Sequence, residues 1–198
     1  MIFEIQKISS ELIQEARDYF PKRYCEDLKA GSLVARFLIS KKAEEEFGIK
    51  DFLPAHTEVK KLKSLQKRKN GEIFFSISHK KNYVAVAISR KEIGIDLEIL
   101  QERDKSLFNY FTEKEWSNLE GKNWQNFYIL WTAKEALIKK LQLKLDNLRD
   151  INLIKKEGDK LTLQFARKNF LVESFRKGGL LRTEKNNFQE ESLIYSLA

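Results

Sequence analysis

Asp96 and Glu98 stand two positions apart in the segment Glu92–Leu100. The alternate positions of this segment, 93, 95, 97 and 99, are all apolar. Because successive side chains of a strand point to opposite faces, Asp96 and Glu98 are predicted to share one face, which Gly94 keeps open. Two hard oxygen donors this close together repel each other unless a cation lies between them. The pair therefore indicates a divalent-cation site, although an acidic, solvent-exposed strand face is the commoner explanation of a lone pair.

The segment Trp124–Leu141 is predicted to be a helix whose apolar arc also holds charge. Lys134 lies inside this arc and Glu135 lies toward its edge, where an unpaired charge would be costly. Glu135 and Lys139 are one helical turn apart, so an ordinary surface ion pair explains these two. The functional interpretation is a carboxylate and two ammoniums that face a charged ligand.

The segment 74–89 is predicted to be a β-hairpin whose turn begins at His79. Ser78 and His79 stand there beside Lys80 and Lys81. A hydroxyl, an imidazole and two ammoniums in one turn can hold a phosphate through charge-assisted hydrogen bonds. A solvated turn is the alternative explanation for each of these residues.

Thr112 and Glu115 have the spacing of a capping box at the start of a helix. In that motif the hydroxyl and the carboxylate satisfy backbone donors of the first turn. The motif is a sufficient structural reason for both residues. A catalytic role for Glu115 is the competing interpretation.

Two blocks of the chain each place helices before strands. The predicted helices are 9–20, 32–47, one that begins at Thr112, and Trp124–Leu141. The predicted strands are 74–78, 83–89, 92–100, 152–155, 160–165, 170–175 and 191–197. Helices followed by strands, twice over, favour an α+β fold with two similar halves, 1–100 and 101–198.

The composition fits a cytoplasmic protein with a packed core. Of the 198 residues 42% are hydrophobic, and no apolar run is long enough to suggest a membrane span or a signal peptide. The single Cys25 cannot form an intramolecular disulfide. The formal net charge of +8 attracts polyanions, which include nucleic acid, anionic lipid, phosphorylated small molecules and acidic proteins.

Four strings, taken together and in order, resemble the signature of the 4′-phosphopantetheinyl transferases. They are FFSISHKKNYVAVAIS, IGIDLE, FTEKEW and FYILWTAKEALIKK. The resemblance is dense over about residues 72–140 and looser over 31–48. With its two α+β halves, the chain is similar to the longer, surfactin-synthetase-associated type, in which one chain forms a pseudo-dimer. The resemblance therefore implies that this protein is a monomer.

The resemblance implies roles for the residues at matching positions. For magnesium, it implies the three ligands Asp96, Glu98 and Glu135. For coenzyme A as substrate, it implies contacts from Ser32, Ser78, His79, Lys134 and Lys139. Lys139 is further implied to neutralise charge during transfer, and Glu115 to help deprotonate an acceptor serine.

Two departures from the family pattern concern the nucleotide end of the site. Lys80 replaces the usual small residue after Ser-His and adds charge there. The expected G-K-P motif upstream is absent, and Lys69 is the candidate for its lysine.

The implied reaction transfers 4′-phosphopantetheine from coenzyme A to a serine of an acidic acyl or peptidyl carrier protein. The main alternative is a basic module that binds nucleic acid without catalysis. The Lys-rich segments do not interleave aromatic residues as single-strand binders do, and this alternative leaves Lys134 and Glu135 unexplained. We therefore expect neither a nucleic-acid nor a membrane partner.

Overall fold

The computed structural model describes residues 1–50, 73–182 and 188–198. It divides the chain into two compact units, Met1–Ile95 and Asp96–Ala198. Each unit combines helices with an antiparallel sheet, which confirms the predicted α+β class. The observed boundary falls between Ile95 and Asp96, five residues before the predicted boundary after Leu100.

The first unit packs helices on a three-stranded sheet. Its elements are β1 (Ile2–Lys7), α1 (Ser10–Tyr19), α2 (Lys22–Cys25), α3 (Ala30–Phe47), β2 (Phe74–Lys80) and β3 (Tyr83–Ser89). The strand order is β1-β3-β2, and both pairings are antiparallel. Helix α3 is buried almost all round over Leu33–Ser40 because it lies between the sheet and α1. It ends at Gly48, which adopts the left-handed φ of 65° that glycine tolerates.

Two local features of this unit differ from the prediction. β1 was not predicted, and its partner β3 is remote in sequence, with Ile2 opposite Ile88. His79 and Lys80 belong to β2 rather than to the turn, because His79 pairs with Val84 in the ladder. The hairpin turn is therefore only two residues long, with Lys81 at a φ of 48°.

The second unit packs α5 on a five-stranded sheet. Its elements are β4 (Ile95–Ile99), α4 (Glu113–Asn118), α5 (Trp124–Leu141), β5 (Asn152–Glu157), β6 (Lys160–Phe165), β7 (Lys168–Arg182), β8 (Phe188–Leu197), and the 3-10 helices Lys105–Tyr110 and Leu145–Asp150. The strand order is β4-β8-β7-β6-β5. The core between helix and sheet includes Leu130 and Leu137 of α5 and Leu163 and Ile194 of the sheet.

The bounds of α5 agree with the prediction because both ends carry local signals. The Asn123 side chain accepts a hydrogen bond from Asn126 N at 2.9 Å and caps the first turn. Gln142 ends the helix in the left-handed conformation with a φ of 54°. Within the helix, Thr132 Oγ1 and Ser196 Oγ of β8 lie 2.8 Å apart in a buried hydroxyl pair that joins helix to sheet.

Strand β4 is shorter than predicted and is covered on both faces. Asp96 is buried, as are Ile95, Leu97 and Ile99, and only Glu98 is partly exposed. The prediction that Asp96 and Glu98 share an open face of this strand is therefore wrong. An ionisable group buried in such a strand needs a charged partner.

No helix in the described part of the chain is both long enough and apolar enough to cross a bilayer.

Truncation of a core residue of α5 tests this packing. Leu137 is fully buried between helix and sheet, so Leu137→Ala is expected to lower the free energy of unfolding by about 2–5 kcal/mol. Leu171 on β7 is largely exposed, so Leu171→Ala is the matched control, with an expected change within about 0.5 kcal/mol. Guanidinium unfolding followed by circular dichroism measures both. Equal losses in the two variants would contradict the described core.

Candidate active site

An ion pair joins β4 to α5. Lys139 Nζ donates a hydrogen bond to Asp96 Oδ1 at 2.7 Å. The Asp96 side chain is 5% exposed, whereas that of Lys139 is 22% exposed. The lysine can therefore be reached from solvent, while the carboxylate lies behind it. A ligand with negative charge meets the ammonium first.

Glu98 and Glu135 lie next to this pair along the same two elements. Glu98 is two residues after Asp96 on β4, and Glu135 is one helical turn before Lys139 on α5. Both glutamates are partly exposed. Side chains at i and i+4 of a helix share a face, so Glu135 and Lys139 face the same way.

The three predicted magnesium ligands are not assembled as a ready-made site. Among residues 1–50, 73–182 and 188–198, no group of three or more His, Cys, Asp or Glu side chains could hold a metal ion as placed. The Lys139 ammonium stands at Asp96 Oδ1 instead. The chemistry of the donor set does suit magnesium, which takes hard oxygen ligands. The metal assignment stays a prediction.

Glu115 is the centre of a buried network. Its Oε2 accepts hydrogen bonds from Thr112 N at 2.9 Å and Thr112 Oγ1 at 3.1 Å, and its Oε1 accepts one from Leu153 N at 3.1 Å. Thr112 Oγ1 in turn accepts from Glu115 N, so the predicted capping box is confirmed. Both carboxylate oxygens are thus engaged within the protein.

Lys134 completes this network. Its Nζ lies 2.7 Å from Glu115 Oε1 and 4.8 Å from the centre of the Phe111 ring. Lys134 is 1% exposed and Glu115 is 3% exposed, so neither reaches solvent. The structure thus gives both residues a place in the packing of the second unit. The roles implied for them, that Glu115 deprotonates a substrate serine and that Lys134 contacts coenzyme A, stay predictions.

The network also sets the charge state of Glu115. Burial alone would raise the pKa of this carboxyl group. The charge and hydrogen bond of Lys134, together with the backbone N–H groups of Thr112 and Leu153, outweigh burial and hold the pKa of Glu115 below its ordinary value. An acid that stays ionised and fully hydrogen-bonded is a poor proton acceptor.

In the first unit, the start of α3 lies beside the end of β2. A methyl group on Gly31 would be 3.6 Å from Cδ2 of His79, so the helix N-terminus and the imidazole are neighbours. Ser32 follows Gly31 in the first turn of α3. The structure thus brings two of the predicted coenzyme A contacts, Ser32 and His79, into one neighbourhood. Ser78 is largely buried on β2, whereas His79 is exposed.

Arg36 is a residue of this neighbourhood that the motifs did not indicate. Its Nη1 donates hydrogen bonds to Ser32 O and to Ser32 Oγ, both at 3.1 Å, from a buried position on α3. It also faces Tyr24, whose pKa burial raises to about 12 against the opposing effect of the guanidinium. Its position in the apolar run LVARFLIS could have indicated a buried arginine that needs polar partners. The other candidate cation, Lys69, lies outside the described residues.

Comparisons with known proteins agree with the resemblance. The family model of the 4′-phosphopantetheinyl transferase superfamily matches residues 92–187. The 4′-phosphopantetheinyl transferase gsp of Aneurinibacillus migulanus is 41% identical over 73 residues, which are 34% of this chain and 31% of that protein. The 4′-phosphopantetheinyl transferase of Bacillus subtilis is 33% identical over 85 residues, 38% of each chain. A putative 4′-phosphopantetheinyl transferase of Synechocystis is 36% identical over 74 residues, 33% of this chain and 30% of that one.

Each of these matches therefore spans about a third of the curated relative's length. The matched part of this chain holds Asp96, Glu98, Glu135 and Lys139, which all lie in the second unit.

The buried pair can be tested through stability. Glu115→Gln would leave the Lys134 ammonium buried without its counter-charge, so the free energy of unfolding is expected to fall by about 3–5 kcal/mol. The double variant Glu115→Gln, Lys134→Met is expected to regain more than half of that loss, because no charge then remains buried.

Thr112→Ala is the control for this test, since it removes the cap but not the ion pair and is expected to cost about 1 kcal/mol. Guanidinium unfolding measures all four proteins. A Glu115→Gln loss no larger than that of Thr112→Ala would mean that the ion pair does not stabilise the unit.

Proposed function

We propose that the chain is a 4′-phosphopantetheinyl transferase, which moves 4′-phosphopantetheine from coenzyme A to a carrier protein. The match of residues 92–187 to the 4′-phosphopantetheinyl transferase superfamily supports this proposal. The acceptor is a serine hydroxyl of an apo acyl or peptidyl carrier, and 3′,5′-ADP leaves. The observation that carries the proposal is the solvent-facing Lys139 ammonium over the buried Asp96 within the matched segment. A partly exposed ammonium beside a buried carboxylate can bind the phosphate groups of a charged substrate.

In the proposed reaction the serine oxygen attacks the β-phosphorus of coenzyme A. A new phosphorus–oxygen bond forms, and the bond from that phosphorus to the oxygen of the leaving 3′,5′-ADP breaks. Transfers of this kind depend mostly on positioning and on neutralisation of charge. Lys139 suits the second task because its ammonium is partly exposed and lies on α5, which the core holds rigidly.

In this proposal the serine proton is released to solvent water rather than to Glu115. The Glu115 oxygens accept four hydrogen bonds within the second unit, and the side chain is shielded from solvent. Glu135 is the partly exposed carboxylate on the face of α5 that carries Lys139. The charge chemistry of the site therefore rests on β4 and α5 alone.

Magnesium enters the proposal with Asp96, Glu98 and Glu135 as its carboxylate ligands. When bound, the ion would supply Lewis-acid stabilisation of the pyrophosphate oxygens. Lys139 would release Asp96 and pair with the substrate's phosphate charge instead. This exchange keeps the buried Asp96 carboxylate compensated before and after the substrate binds.

The nucleotide end of coenzyme A is proposed to contact Ser32, Ser78 and His79. Arg36 supports this assignment, because its two hydrogen bonds fix the first turn of α3, where Ser32 lies. The backbone N–H groups at a helix N-terminus favour anions. An exposed imidazole next to that turn adds a further donor.

The carrier is proposed to be acidic and the enzyme to act as a monomer. The formal net charge of +8 favours encounter with an acidic protein, because electrostatic steering raises association rates. This accounts for the basic composition without a nucleic-acid partner.

A mass measurement tests the transfer directly. The protein is incubated with coenzyme A, magnesium and several apo carriers, and the carrier is expected to gain one phosphopantetheine. Glu135→Gln is expected to lower the rate about 100-fold, because it removes one of the three proposed magnesium ligands. Chelation of magnesium with EDTA is expected to stop transfer.

Glu157→Gln on β5 is the matched control for Glu135→Gln and is expected to keep full activity, since this glutamate is exposed and pairs only with Lys155 in the described contacts. Absence of any mass gain with every carrier would refute the proposed function. A Glu135→Gln rate near that of the parent would remove this residue from the site.

The coenzyme A contacts can be tested separately. His79→Ala is expected to raise KM for coenzyme A about tenfold, since one charge-assisted hydrogen bond to phosphate is lost. Its KM for the carrier is expected to stay unchanged. Lys22→Ala on α2 is the control, since this exposed lysine is not among the predicted coenzyme A contacts. Unchanged KM for coenzyme A in His79→Ala would contradict the assignment.

A further inference from the structure

A surface pocket of about 360 Å³ lies in the second unit, between α5 and the two 3-10 helices. Its lining residues are Tyr110, Trp131, Leu145, Asp146, Leu148 and Arg149. None of them belongs to the proposed transfer chemistry. The volume falls at the lower end of the range of about 300–1,000 Å³ that is usual for binding pockets.

The pocket has an aromatic wall that solvent can reach. The Tyr110 ring meets the Trp131 ring edge to face, with centres 5.4 Å apart. The Arg149 guanidinium lies 5.6 Å from the centre of the Tyr110 ring, within the range of a cation–π contact. Tyr110 is 39% exposed and Leu145 is 56% exposed, so the wall and rim offer apolar surface to a partner.

The arrangement of apolar and charged groups is that of a protein interface. Leu148 forms a buried floor, while Asp146 and Arg149 stand exposed at the rim. Interfaces pair an apolar centre, rich in aromatic residues and arginine, with a polar rim. Tyrosine, tryptophan and arginine are also the residues that most often dominate binding energy.

The pocket continues the face of α5 that carries the proposed active site. Trp131 precedes Glu135 by one turn and Lys139 by two, and residues at this spacing share a helix face. With a rise of about 1.5 Å per residue, Trp131 lies roughly 6 Å from Glu135 and 12 Å from Lys139 along the helix axis. A protein that brings a serine to Glu135 and Lys139 therefore covers the pocket as well.

Resting on the transfer proposed above, we propose that this pocket docks the carrier protein. It receives an apolar side chain that the carrier exposes close to its acceptor serine. Arg149 pairs with a carboxylate beside that side chain, which suits an acidic carrier. The pocket then selects among carriers. A carrier that has no apolar residue close to its acceptor serine would leave Tyr110, Trp131 and Leu145 exposed to solvent in the complex and would bind more weakly.

Steady-state kinetics with two pocket variants and two matched controls test the proposal. Leu145→Ser is compared with Leu171→Ser, since both leucines are 56% exposed in the same unit. Arg149→Glu is compared with Lys168→Glu, since both cations are exposed and the charge reversal is the same. KM is measured separately for the carrier and for coenzyme A.

The expected result is a rise of about tenfold in KM for the carrier in each pocket variant, with less than about twofold change in the controls. The KM for coenzyme A and kcat at saturating carrier are expected to stay within about twofold of the parent. The Arg149→Glu effect is expected to shrink at high salt, because part of it is electrostatic steering. Thermal unfolding establishes that each variant is folded, and Leu145→Gln replaces Leu145→Ser if the latter is not.

The outcomes separate this proposal from the one on which it rests. Absence of transfer by the parent protein refutes the proposed function. Transfer by the parent, with a carrier KM in the pocket variants equal to that of the controls, overturns the docking site alone. A rise in KM for coenzyme A instead of the carrier also overturns it, because the pocket would then serve the small substrate.

Discussion

The buried pair of Glu115 and Lys134 is the constraint on which the second unit depends. A lysine 1% exposed inside an apolar helix arc is tolerable only because the Glu115 carboxylate lies 2.7 Å away. The same carboxylate also binds the backbone of Thr112 before α4 and of Leu153 in β5. One side chain thereby fixes the relative positions of two helices and a strand. The orientation of α5 about its own axis follows from this, since Lys134 can point in only one direction.

That orientation places the charged residues of α5 in two different surroundings, the core and the surface. Successive residues of a helix point about 100° apart, so with Lys134 turned into the core, Glu135 and Lys139 turn toward solvent. Lys139 then reaches Asp96 of β4, and Trp131 reaches the pocket at Tyr110. The Glu115–Lys134 pair is closed off from solvent, whereas the Asp96–Lys139 pair is partly exposed through its lysine. The adjacent residues Lys134 and Glu135 therefore lie in different surroundings, the first in the core and the second at the surface.

The elements that were predictable from sequence are those whose signals are local. The bounds of α5 and the capping box of α4 follow from residues within one turn of each end, and both predictions are confirmed. The need of Lys134 for a partner was also evident, but the partner stands 19 positions earlier in another helix and no spacing rule connects them.

Elements that depend on remote partners were missed or misjudged. Strand β1 forms by pairing with β3 across most of the first unit. The alternation in β4 predicted one open face, whereas α5 supplies a lysine that allows Asp96 to be buried. Arg36 was overlooked because its charge sits in an apolar run without a motif. In each case tertiary contacts decided what the local pattern left open.

Strand β4 has a further consequence, since it is also where the chain passes from one compact unit to the next. Ile95 N donates to Ser76 Oγ at 3.0 Å in the first unit, and Leu100 N donates to Ser192 O at 2.8 Å in the second. Domains are commonly joined by exposed linkers that proteases cut readily. Here the junction is a buried strand with hydrogen bonds at both ends, and it offers a protease no accessible backbone. Cleavage between Ile95 and Asp96 requires β4 to unfold first, so separating the two units at this point means dismantling the strand that carries Asp96.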